Sequence, residues 1–107
     1  ACFGARLDPA ADDATMATAL LAAGARGLYG ALGLTYGAPD PPPGESDLLA
    51  RALLQELLAP GARLGPALVA AQMTTLRELL RTRGALDAVS LKTLLSFQLY
   101  GDPLAPA

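Results

Sequence analysis

The segment Ala1-Cys2-Phe3-Gly4-Ala5-Arg6 holds the only cysteine of the chain, and the 107 residues contain no histidine. A thiol attacks a carbonyl carbon effectively as the thiolate, and a neighbouring base, most often imidazole, is what holds it in that form. If Cys2 is a nucleophile, its histidine must come from polypeptide outside these residues, and the chain is then one part of a site. That the chain opens on Ala1 and not on methionine carries the same expectation. The plainer reading of a lone cysteine is a small, buried and inert side chain.

The carboxylates offer less. Asp12-Asp13 precedes an apolar stretch and suits helix capping better than metal binding, which would need more ligands. Asp40 stands between Pro39 and Pro41, where a carboxylate can be a turn residue or a partner for a basic side chain. Asp102, in Gly101-Asp102-Pro103, reads as a helix stop and turn. One cysteine excludes an internal disulfide and a cysteine-rich zinc site, and the lack of histidine removes the commonest metal ligand. No metal or cofactor is expected.

Composition narrows the partners. Eight basic and ten acidic residues give a net charge of −2 with no basic cluster, so direct nucleic-acid binding is not expected. Apolar residues make up 52% and aromatic residues 5%, so the interior must come from Leu, Ala and Val. Charged residues are only 17%, which fits a piece that covers one face with another segment. The apolar runs are interrupted well before bilayer length, so no membrane span is expected, and a reducing cytoplasm is compatible.

The elements that must position these residues follow from periodicity and punctuation. Asp12 or Asp13 caps a helix over Thr15 to Ala23, with Met16, Leu20 and Leu21 inward. Gly27 to Leu34 alternates, Leu28, Leu32 and Leu34 against Tyr29, Ala31 and Gly33, which predicts a strand; its glycines fit if another backbone approaches closely. Thr35 to Glu45 is a proline-rich loop. A helix runs from Glu45 or Ser46 to Leu58, with Leu49, Ala52, Leu53 and Leu57 inward. A longer one starts at Gly65-Pro66 and ends at Gly84, with Leu68, Ala71, Thr75, Leu76, Leu79 and Leu80 inward and Arg77, Glu78, Arg81 and Arg83 in water. The last begins at Ser90 and continues through Leu95 towards Gln98.

This order of cysteine turn, helix, strand, loop and helices is that of the carboxyl-terminal half of an open α/β sheet domain. Three stretches go further: Ala1-Cys2-Phe3-Gly4; Thr15 to Ala31 with its "helix, Gly-Ala, apolar-Gly" rhythm; and Leu64-Gly65-Pro66-Ala67-Leu68-Val69-Ala70-Ala71 followed by Phe97-Gln98-Leu99-Tyr100-Gly101-Asp102-Pro103-Leu104. In this order the chain resembles the caspase-like cysteine peptidases, closest to the gingipain-type branch and the related bacterial CHAT peptidases. The resemblance implies an α/β fold, the carboxyl-terminal half of an open three-layer α/β/α sheet domain, largely helical within this chain. It implies that residues 1–107 are part of one peptidase domain, with the histidine-bearing His-Gly turn outside them.

By the same resemblance Cys2 is the nucleophile, an upstream polypeptide carries the catalytic histidine, and a protein is the substrate, with a regulatory or sensor domain as a further partner. Gly33, Thr35 and Tyr36 would form a backbone platform for an extended peptide, and Asp40 would meet a basic side chain before the scissile bond. The competing expectation is a non-catalytic helical module that binds a partner through apolar faces, with Cys2 incidental.

Overall fold

The computed structural model describes residues 4–7, 15–37, 40 and 42–107. Its elements are α1 (Met16–Ala22), β1 (Gly27–Ala31), α2 (Glu45–Leu57), α3 (Leu64–Arg83), α4 (Ala88–Ser96) and β2 (Phe97–Gly101). These form an α/β unit in which two antiparallel strands pack on a helical layer.

Thr15, and not Asp12 or Asp13, caps α1: its side chain accepts the Thr18 N–H over 3.2 Å. The two aspartates lie outside the described residues. The expected apolar stripe is not buried as a stripe either. Ala17 is fully buried, whereas Met16 and Leu20 are about half exposed. A helix this short, resting mainly on β1, seats its small face and leaves its bulky one outside.

The strand that follows is shorter than the alternation suggests, ending at Ala31 with Leu32 and Leu34 exposed. The larger departure is β2. Periodicity extended the last helix towards Gln98, but α4 stops at Ser96 and residues 97–101 pair with β1, Ala31 against Phe97 through Gly27 against Gly101. Leu91, Leu94 and Leu95 set a helical period, and the alternating Phe97-Gln98-Leu99-Tyr100 run is too brief to break it without its partner strand. On one sheet face Tyr29, Phe97 and Leu99 pack against the core, while Leu28, Gln98 and Tyr100 belong to the other.

That core lies between α2 and α3: Leu49, Ala52 and Leu53 against Ala67, Leu68 and Ala71. The helix boundaries match their signals. At the start of α2 the Asp47 carboxylate accepts the Gly44 N–H over 2.9 Å. Pro66 sits in the first turn of α3, where its missing donor costs nothing, and Gly84 closes the helix at φ 77°. Inside α3, Thr75 is buried with its hydroxyl on the Ala71 carbonyl, so this polar group is satisfied.

Two positions of α3 correct the expected pattern. Leu80 is substantially exposed. Arg83 is not simply in water: it pairs with Glu45, whose side chain is only 11% exposed, and touches the buried Ser90 hydroxyl at 3.3 Å. This junction ties the first turn of α2 to the last of α3 and the first of α4.

Gly101-Asp102-Pro103 is a turn, as expected, but it ends a strand and not a helix. Asp102 shapes it by accepting the Leu104 N–H over 2.9 Å. The chain then runs along the start of α3, where Leu64 N–H donates to Ala105 O, Gly65 N–H to Pro103 O, and the Arg63 guanidinium to Leu104 O. Amides of the first helical turn, which lack intrahelical acceptors, are satisfied in this way. Among the described residues no helix is long and apolar enough to cross a membrane.

Candidate functional site

Cys2 lies outside the described residues, and the site is built from the chain on either side of β1. Ala5, three residues beyond Cys2, is fully buried. Its N–H donates to the Ala31 carbonyl over 3.1 Å, at the carboxyl end of β1. The Leu32 N–H bonds to Ser96 O on the β2 side, so by the alternation of an antiparallel ladder the Ala31 carbonyl points away from β2. Ala5 is therefore received at the other edge of β1.

This seat explains a glycine inside a strand. A β-carbon on Gly30 would stand 2.7 Å from the Ala5 β-carbon and 2.9 Å from its nitrogen, so only glycine lets the backbone of Ala5 approach. The expectation that a close backbone accounts for the strand glycines holds here.

From the same strand end the chain continues into Gly33, Thr35 and Tyr36. Gly33 is half-buried with open space where a side chain would sit, and Thr35 is half-buried beside it. Tyr36 is about half exposed. Its carbonyl accepts both the N–H and the hydroxyl of Ser46, at the start of α2, and its ring lies 5.1 Å from the Lys92 ammonium of α4. The Tyr36 carbonyl is thus already engaged within the fold.

Asp40 is exposed, and among the described residues it makes no hydrogen bond or ion pair. Gly33, Thr35 and Tyr36 are brought together by continuity of the chain; Asp40 follows Tyr36 further along the loop. Sequence reasoning missed Lys92 and Ser46, which hold Tyr36. Their spacing from Tyr36 carries no motif, because the contacts are made by helices that arrive later in the chain.

A second set of groups sits under the strand. Tyr29 donates its hydroxyl to the Leu64 carbonyl, joining β1 to the start of α3, and burial pushes its phenol above the usual range. It is a tie between elements. Among the described residues no three His, Cys, Asp or Glu side chains converge as metal ligands.

Comparison with protein-family models, curated proteins and solved structures gives no match to this chain.

Proposed function

We propose that residues 1–107 supply the nucleophile of a caspase-like cysteine endopeptidase, within the carboxyl-terminal half of an open three-layer α/β/α domain. The Cys2 thiolate attacks the scissile carbonyl carbon, and a histidine from another segment takes the thiol proton and passes it to the departing amine. Water then cleaves the thioester. Backbone amides near Cys2 stabilise the oxyanion.

The observation that supports this reading most is the seat of Ala5 at the carboxyl end of β1, next to the stretch 33–36. In open α/β sheets ligands bind outside the carboxyl ends of the parallel strands, so if β1 is one strand of such a sheet, the cysteine segment and the candidate peptide platform both adjoin its ligand-binding end. Further strands, and the histidine, would come from polypeptide outside this chain; a protein is the substrate, and a regulatory or sensor domain is a further partner.

The exposure of Leu54, Leu58 and Leu95 favours a second reading, a helical interaction module without catalysis. The test is treatment of the full protein with a peptide carrying an electrophilic carbonyl warhead, followed by peptide mapping, beside proteolysis by a Cys2→Ser variant. The enzyme reading expects modification of Cys2 and loss of cleavage in a variant that still folds. Full cleavage by folded Cys2→Ser would overturn it.

A further inference from the structure

A groove of about 530 Å³ runs between α2 and α3, and none of its described lining residues belongs to the candidate site. Its walls include Leu48, Arg51 and Gln55 from α2, and Thr74, Arg77 and Arg81 from α3. Its lining includes the small side chains Ala52 and Thr75, both buried, which leave the space between the helices unfilled.

The charge in this groove is one-sided. Glu78, the only carboxylate among its described lining residues, is held by both oxygens on Arg81, at 2.7 and 3.0 Å, and that guanidinium keeps it below the usual carboxylate range. Arg51 and Arg77 are left. Among the described residues neither makes a hydrogen bond or ion pair, although they line the same groove from facing helices. Two guanidiniums without an ion-pair partner among the described residues, lining one groove, favour an anion there, in a chain whose net charge is −2.

Length decides what kind of anion. The lining spans Leu48 to Gln55 on one helix and Thr74 to Arg81 on the other, about 10 Å along each at the helical rise. A single phosphate would fill only part of that. A peptide a few residues long would fill it, laying apolar atoms against Leu48 and Ala52 and presenting carboxylates to the planar donors of Arg51 and Arg77.

We infer that the α2–α3 groove is a docking site for an acidic peptide segment of a partner protein, with Arg51 and Arg77 as the residues that read its carboxylates. The solvated arginine face expected from the sequence is in this view a recognition surface.

The test is fluorescence anisotropy of the full protein with a fluorescein-labelled Glu-Glu-Leu-Glu-Glu-Leu-Glu peptide, beside the same peptide with every Glu replaced by Gln. Saturable binding of the acidic peptide alone is expected, weakening with salt. Arg51→Gln and Arg77→Gln should each weaken it about fivefold, the scale of a solvent-exposed ion pair, and Arg51→Lys should weaken it less. Arg6→Gln, far from the groove in sequence and not among its lining residues, serves as the charge-matched control and should leave binding unchanged. Equal binding of the two peptides, no binding, equal losses with Arg6→Gln, or displacement by inorganic phosphate at low millimolar concentration would each overturn the assignment. Circular dichroism of each variant confirms that it is folded before its binding is read.

Discussion

The Gly65 N–H donates to the Pro103 carbonyl over 2.7 Å, and a β-carbon on Gly65 would stand 2.8 Å from that of Pro103. Two stretches far apart in sequence, Leu64-Gly65-Pro66 and Gly101-Asp102-Pro103, are thereby one clasp. Tyr29 of β1 reaches the same point through the Leu64 carbonyl. The clasp fixes the start of α3, and with it the helix that covers the sheet.

Gly65→Ala tests this clasp because two effects oppose each other. Alanine improves helix propensity by up to about 1 kcal/mol, less at a helix end. The contact with Pro103 is backbone and ring, neither of which can rotate away, and overpacking of this kind costs about 1–3 kcal/mol. Net destabilisation of about 1–2 kcal/mol is expected, read from urea unfolding of the full protein. A more stable Gly65→Ala protein would show that the carboxyl-terminal segment is not held there.

Gly30→Ala bears on function through position. Its β-carbon would displace Ala5, so the cysteine segment loses its seat at the end of β1 while the β1–β2 ladder, on the other edge, is left in place. Labelling of Cys2 by the electrophilic peptide should fall about tenfold or more, because small misplacements of a reacting group cost that much. Unchanged labelling kinetics in a folded Gly30→Ala protein would separate the seat from the chemistry.

The Arg83 junction gives the fold a dependence on acid. Asp87 caps α4 by accepting the Ser90 N–H over 2.7 Å, and this bond, with help from Arg83, holds its carboxyl below the usual range. A carboxylate whose folded pKa is depressed adds stability above its unfolded value, and that stability is lost as pH falls through the folded value. Asp87→Asn keeps a capping oxygen but no charge. The variant should therefore unfold with a flatter pH profile below about pH 4, while differing little from wild type once Asp87 itself is protonated. Thermal unfolding of the two proteins from pH 7 down to pH 2 checks this, and parallel profiles would remove Asp87 from the account of acid stability.

Helices α2 and α3 were legible in the sequence because each has a long apolar period and clear punctuation: Gly44 before one, Pro66 and Gly84 around the other. β2 was not, since five residues contain too few alternations to outvote the helix before them, and their order depends on a partner nearly seventy residues earlier. The burial of Ala17 in place of Met16 and Leu20 was hidden for a related reason: hydrophobicity marks what can be buried, and the neighbouring elements decide what is. At the candidate site the glycine of β1 signalled a close approach, but not that Ala5 makes it. Lys92 and Ser46 gave no signal, because a side chain that supports a distant loop needs no spacing relative to it.

The loop itself yields the last prediction. Tyr36 is pinned by Ser46 and faces Lys92, so the loop leaves β1 from a fixed point, and Asp40 is carried exposed beyond it. In the peptidase reading a basic side chain before the scissile bond would meet this carboxylate. Exposure sets the size of the effect: a screened pair discriminates weakly, and only the part that substrate removes from water adds to it. Asp40→Ala should lower kcat/KM for peptides with Arg or Lys at that position by about tenfold and leave neutral peptides unchanged, with the loss reduced at high salt. Cleavage of a peptide library varied at that position, by wild type and variant at two ionic strengths, reads the effect directly. Identical preferences would make Asp40 a turn residue among prolines and assign specificity to the polypeptide that brings the histidine.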